Sequence, residues 1–342
     1  MAGGDIDVTT QQRTFAGGSQ IGKQTGAFVG EAGVIPLGGP AGDITLNVKG
    51  TSTIVGTSAD GRFGSGPGTA SYSGSPAGNI MLTTGNLFIR EGANISATTF
   101  SDGNGGTLSV SVADVLDLSG SSTRTSVGLP ITLPSGLFSS SGRADFPGVV
   151  GSGAAGTLQV SARELNIREG AAIAINALGS GDAGTLTATA EQIRLDSGGQ
   201  ITAATTSGTG GNVRLTTPVL LLRRGSNLNT NAGNADGGNI TLDTGLLIAL
   251  EDSDITANAR QGRGGQVNIT AQSIFGTAFR EQLTSESDIT ATSALGPEFD
   301  GEVVLNTPNL APDRGLVRFP EAASDPHEQL MAGCVGARGD RF

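Results

Sequence analysis

Tryptophan is absent from this chain of 342 residues, tyrosine, histidine and cysteine occur once each (Tyr72, His327, Cys334), and lysine occurs only at Lys23 and Lys49. A lone cysteine excludes an intrachain disulfide and a cysteine-based zinc site. A lone histidine removes most imidazole metal sites and His-assisted nucleophiles. With 31 acidic against 20 basic residues and a net charge of −11, no basic patch offers itself to nucleic acid. Acidic balance of this kind keeps a sheet-rich surface soluble. No apolar run approaches the roughly 20 residues that span a bilayer. The opening MAGGDIDVTTQQ has neither a basic n-region nor an apolar h-region, so no secretion signal is expected in it. Few aromatics also weaken the case for a sugar groove built on ring stacking.

Glycine, by contrast, supplies 56 residues, but 13 prolines and the lack of a Gly-X-Y period exclude collagen. Residues 185–265 write one unit of 27 residues three times, as Thr185–Gly211, Asn212–Gly238 and Asn239–Gly265. Each copy has two h-x-h runs, a small or acidic turn, an Ile/Leu-x-small run and a closing Gly-Gly. A fixed period in the twenties is a solenoid signature. Units 79–106 and 157–184 hold 28 residues, 107–156 holds 50 and 266–301 holds 36. Extra residues fall near 59–77, 124–150 and 275–284, and residues 5–78 read as coils with enlarged loops.

Stacking the units gives aliphatic columns. The first runs through Ile80, Leu108, Leu158, Leu186, Val213, Ile240, Val267 and Val303. A second passes Leu87, Leu165, Ile193, Leu220 and Leu247, and a third Ile95, Ile173, Ile201, Leu228, Ile255 and Ile289. Alternation with period two means strands with one face inward. Three short strands per coil of about 27 residues, stacked on one another, predict an all-β, right-handed parallel β-helix over residues 1–307. Residues 308–342 lose the period and read as an irregular tail or cap. The Gly-Gly corners are expected to supply positive φ and close backbone approach, rather than a phosphate loop, because a strand and not a helix follows each. Asn79, Asn212 and Asn239, just after those corners, could form an asparagine ladder or simply tolerate the turn.

The Gly-Gly-x-h-x-h strands, the Arg-Glu-Gly-Ala-x-Ile turns at Arg90–Ile95 and Arg168–Ile173, and the closing NTPNLAPDRGLVRFPEAASDPHEQLMAGC carry a resemblance. The chain resembles the C-terminal part of cyanobacterial filamentous haemagglutinin-like exoproteins of the two-partner secretion, or S-layer, type. That resemblance implies a β-helical shaft, passage through a partner outer-membrane β-barrel, and a place at the cell surface or in the medium. The N-terminal secretion domain of such proteins is not in this sequence, and relatives commonly run on past Cys334, so a fragment, a truncated reading frame or one piece of a split gene is expected.

Candidate sites were sought on the outer faces. For glycan chemistry, Asp243, Glu251, Asp252 and Asp254 are the best carboxylates, with Arg214, Arg223 and Arg224 placed to pair with them across one coil. Cross-strand ion pairs on a solvated face account for the same residues. The turns Ser101–Asn104 and Asn234–Gly237 offer oxygens to calcium but match neither a calcium-roll nonapeptide nor an EF-hand loop. Arg338-Gly339-Asp340 matches an adhesion tripeptide by coincidence of composition. The expectation is a non-enzymatic surface shaft in adhesion or surface architecture, with no catalytic, metal or cofactor residues. Its partners would be a β-barrel transporter and a surface glycan or cell-surface ligand, met through the long loops. A polysaccharide lyase or hydrolase, or a fragment without independent function, are the alternatives.

Overall fold

The computed structural model describes residues 4–25, 27–28, 34–35, 39–126, 129–143 and 151–308. His327, Cys334 and Arg338–Asp340 lie outside the described residues. Met1–Thr307 forms one compact unit.

That unit is a parallel β-helix. One 12-stranded sheet takes in the first two runs of every coil. Its strands follow one another as Ile6–Thr10, Ile44–Val55, Ile80–Arg90, Thr107–Val112, Thr157–Arg168, Thr185–Asp196, Asn212–Arg223, Asn239–Leu250, Gln266–Phe275 and Glu302–Asn306. A 10-stranded sheet takes in the third run, from Gln20–Thr25 to Thr277–Phe279. A column of single bridges, Thr99–Ser141–Ala177–Thr205–Ala232–Ala259–Ser293, closes the remaining side. Ten strands in succession at about 4.8 Å each give a rod of roughly 43 Å.

The two h-x-h runs join end to end because the chain turns a corner without leaving the ladder. Along Asn212–Arg223 the buried residues are Val213, Leu215 and Thr217, and then Leu220 and Leu222, so the inward parity switches between 217 and 220. Asn239–Leu250 repeats the switch between Thr244 and Leu247. In two coils the runs stay separate, as Ile6–Thr10 and Arg13–Ala16 and as Thr107–Val112 and Val115–Ser119. An inward hydroxyl at the corner is satisfied locally: the Thr217 hydroxyl donates to the Val219 carbonyl at 3.0 Å, and that of Thr244 to the Leu246 carbonyl at 3.1 Å. Between the corners runs one core, in which Leu186, Ile193 and Ile201 of a single coil are all fully buried.

The glycine corners differ in part from expectation. Gly106, Gly211, Gly238 and Gly265 do not have positive φ. They are glycine because each packs on the carbonyl of the coil below. A Cβ on Gly238 would land on the Gly211 carbonyl oxygen, one on Gly265 on that of Gly238, and one on Gly184 on that of Gly156. The column extends from Gly78, over Gly42, to Gly301, over Gly265. Positive φ sits at the other corner, after the second run. There two successive residues are left-handed: Glu91-Gly92, Glu169-Gly170, Ser197-Gly198 and Arg224-Gly225. The coil at 239–265 departs by placing Glu251 and Asp252 there, with φ of 61° and 58°. An L-residue is strained in that region where glycine is not. Asp252→Gly is therefore expected to stabilise the rod by about 0.5–1 kcal/mol. A thermal melt should show a rise of about 1–3 °C.

The described parts of the insertions pair on themselves or on the 10-stranded sheet. Ser121–Ser126 pairs antiparallel with Leu129–Pro134. Thr57 bridges Gly64 in the loop before Gly66–Ser71. Thr277–Phe279 adds an edge strand beside Ser287–Thr290. Among the described residues no helix is long and apolar enough to cross a membrane.

Candidate functional site

Asp243 stands apart from the other expected carboxylates, Glu251, Asp252 and Asp254, which share one turn. Asp243 lies on the exposed face of the first run, beside Thr216 and Thr270 of the neighbouring coils. Glu251 stands eight residues further, around a corner and on the order of 20 Å of strand away. Arg214 lies beside Thr187 and Thr241. The Arg223 guanidinium donates twice to Glu251, at 3.1 and 3.0 Å, which is the cross-coil pairing expected. Arg224 instead reaches down to Asp196 at 2.6 Å and to the Ser197 hydroxyl at 3.0 Å.

Together these groups form one charged ladder along the second corner. Asp117, with its side chain 9% exposed, is held between Arg90 of the coil below at 3.2 Å and Arg168 of the coil above at 3.0 Å. Asp196, 5% exposed, is held between Arg194 at 2.5 Å and Arg224. Burial pushes the Asp196 carboxyl up, but the Arg194 hydrogen bond and the charges of Arg194 and Arg224 outweigh it and hold it below the usual carboxylate range. The Arg223 hydrogen bond likewise lowers Glu251. Arg90 and Arg168 tie Asp117, and Arg224 ties Asp196, to neighbouring coils, so the ladder adds charge-assisted hydrogen bonds between turns of the rod.

Asp254 moves the other way. Burial raises its carboxyl, and the charges of Asp252 and Asp288 add to the rise. Its Oδ1 accepts the Asp288 amide at 2.9 Å, while the buried Asp288 carboxylate takes Arg280 and the Thr284 hydroxyl and fastens the 280–287 loop. The candidate calcium turns are also occupied by structural bonds. Asp102 accepts the Ser152 hydroxyl at 2.6 Å, and Asp236 accepts the Arg263 amide of the next coil at 2.8 Å. Asn239 donates to Asn212 at 2.8 Å, a two-step asparagine ladder, whereas Asn79 accepts the Thr107 amide. A longer side-chain column joins successive coils: Asn176 accepts the Ala204 amide, Asn231 that of Asn258, and Asn258 that of Thr292, each at 2.8 Å.

The long loops do come together. On the outer face of the 10-stranded sheet, the loop at 57–64 and the segment leading to Arg143 border a cleft of about 280 Å³. Its floor is the outward column Gly22–Gly68–Ser96. The rim carries Arg62, Phe63 and Arg143, and Tyr72 stacks on Phe100 with ring centres 5.0 Å apart at one end. Beyond Arg143 the surface dips again into a second cleft of about 190 Å³, reaching Gln200 and Thr202. The two clefts share Arg143, whose guanidinium lies 5.1 Å over the Phe138 ring and donates to Asn94 Oδ1 at 3.3 Å. They cross six adjacent strands, about 24 Å along the rod. The 57–64 loop is braced: Gln20 Nε2 donates to the Gly64 carbonyl at 3.0 Å, and Asp60 accepts the Ser58 hydroxyl at 2.6 Å and the Arg62 amide at 3.1 Å. Comparison with known protein families, characterised proteins and solved structures returns no match for the chain.

Proposed function

We propose that this chain is a non-enzymatic β-helical shaft of a filamentous haemagglutinin-like surface protein, working in adhesion or surface architecture. On this reading a partner β-barrel carries the protein across the outer membrane, and a surface glycan or cell-surface ligand is met on the side of the rod. The observation that carries the reading is the union of a backbone stack unbroken from Ile6 to Asn306 with loops gathered over one outer sheet. Such a body holds a surface at a fixed distance and presents an elongated contact face. The arginine-locked carboxylates of the second corner agree with cohesion rather than turnover. Cell fractionation with an antibody against residues 157–300, combined with protease treatment of intact cells, tests it. Antigen at the cell surface or in the medium, digested from outside, is the expected result. Antigen confined to the cytosol and protected from protease would overturn the proposal.

A further inference from the structure

The second run of the coils changes character along the rod. In two successive coils it alternates, as Glu164-Leu165-Asn166-Ile167-Arg168 and Gln192-Ile193-Arg194-Leu195-Asp196, with the polar residues on the outer face. In the next two it reads Val219-Leu220-Leu221-Leu222 and Leu246-Leu247-Ile248-Ala249-Leu250, apolar at every position. That is the pattern of a strand covered on both faces. Here the rod covers only one. Leu220, Leu222, Leu247 and Ala249 are fully buried in the core, whereas Val219, Leu221, Leu246 and Ile248 are half-buried on the outside. Leu250 is 38% exposed, and Phe275, in register above Ile248, is 58% exposed.

Register sets these outward side chains on a grid. One column runs through Arg194, Leu221, Ile248 and Phe275, and the column beside it through Gln192, Val219, Leu246 and Ser273. Contiguous exposed apolar surface marks an interaction site. An apolar centre accompanied by arginine and an aromatic ring is the composition of a protein–protein interface. The grid is also self-complementary, as a two-fold contact requires. A two-fold axis lying in the contact plane, along the strands and midway between Leu221 and Ile248, turns the first column onto itself in reverse. Leu221 then meets the partner's Ile248, and Val219 meets the partner's Leu246. Phe275 meets the partner's Arg194, whose side chain is 40% exposed, and a guanidinium is attracted to an aromatic face. At the corner the half-exposed Arg224 comes beside the partner's Glu251. An axis parallel to the rod would instead set Arg194 against the partner's Arg194, opposing like charges.

We infer that this face pairs two copies of the chain side by side, with the rods running in opposite directions. The four coils that carry it make a contact about 19 Å along the rod and about 17 Å across, at about 4.8 Å per strand and 3.3 Å per residue. Such a contact is smaller than the roughly 800 Å² per partner of a standard interface, so the pair is a weak one that forms where chains are crowded. Sideways pairing ties neighbouring rods together, a property beyond the surface-shaft reading and independent of it.

Sedimentation equilibrium of the full chain carrying Cys334→Ser, which removes the native thiol, is the first measurement. A monomer–dimer equilibrium with a dissociation constant of about 10–500 μM is expected. Ile248→Glu should weaken dimerisation at least about tenfold by placing a charge in the apolar centre, while its thermal melt stays cooperative because position 248 faces outward. Cross-linking supplies a second measurement that depends on register alone, since Ser273 falls opposite the partner's Gln192. Under mild oxidation, a mixture of Gln192→Cys and Ser273→Cys chains in the same background should form a disulfide-linked dimer. Either chain alone should not, because like positions then lie three coils, or about 14 Å, apart. A chain that stays monomeric up to about 1 mM leaves the face to some other occupant and overturns the inference. So does a dimer indifferent to Ile248→Glu, or cross-linking in the single-variant samples rather than in the mixture. None of these results bears on the cell-surface test, which stands or falls separately.

Discussion

Leu242→Asp is expected to abolish cooperative melting of the solenoid, while Thr241→Asp, one position away, leaves it intact. Leu242 is 1% exposed and stands in register between Leu215 below and Ile269 above. The substitution removes the burial of a leucine, about 2–3 kcal/mol, and brings a carboxylate into an aliphatic interior without a partner. The combined loss should exceed about 5 kcal/mol, comparable to the whole stability of many domains. Stacking spreads the damage, because the coils on both sides lose the same contact. Thr241 points outward between Arg214 and Asn268, so an aspartate there gains a cationic neighbour and should change stability by under about 0.5 kcal/mol. Circular dichroism melts of the two variants decide the matter. Equal losses would mean that the inward and outward faces of Asn239–Leu250 are wrongly assigned.

The second large effect concerns a methyl group. Gly238→Ala is expected to destabilise the rod by about 3 kcal/mol or more, the upper end of what overpacking costs. The added Cβ would sit on the Gly211 carbonyl oxygen, and that oxygen belongs to the backbone of the next coil, so no side-chain rotation relieves it. The Asn239 amide donates to that same carbonyl at 3.0 Å, so prying the coils apart also breaks a hydrogen bond. Gly68→Ala is the matched control, with its nearest contact at 3.4 Å and an expected change near zero or slightly favourable. Melting temperatures of the two variants should differ clearly. A tolerated alanine at 238 would show that coil spacing is not set at this corner.

Most of the fold could be read from the sequence because its rule is periodic. Ile240, Leu242 and Leu247 announce themselves as inward residues through alternation, and their partners follow at a fixed offset of 27. Thr217 and Thr244 did not, since nothing in a threonine says that its hydroxyl will be satisfied by a carbonyl two residues on. The merging of the first two runs into one strand was hidden for a related reason: the parity change between Thr217 and Leu220 looks the same for a corner and for a break. Of the outer charges, the Arg223–Glu251 pair was legible from its spacing, whereas Arg224 was drawn to Asp196 because a nearly buried carboxylate attracts a cation more strongly than an exposed one. The larger cleft was beyond sequence reasoning. Gly22, Gly68 and Ser96 become neighbours only after coils of unequal length are brought into register, and Arg62 and Arg143 arrive from different insertions.

The column of glycines on carbonyls works as a gauge for assembly length. Because pitch is set at one corner by backbone alone, the contacts that Thr185–Asp196 makes with Asn212–Arg223 are of the same kind as those Asn212–Arg223 makes with Asn239–Leu250. Whole units can be gained or lost there without retuning any side chain, provided they arrive as complete turns. Evolution can then adjust reach and recognition independently. The plain turns from 157 to 265 act as an extensible stem, while the cleft over residues 20–143 keeps its own dimensions whatever length that stem acquires.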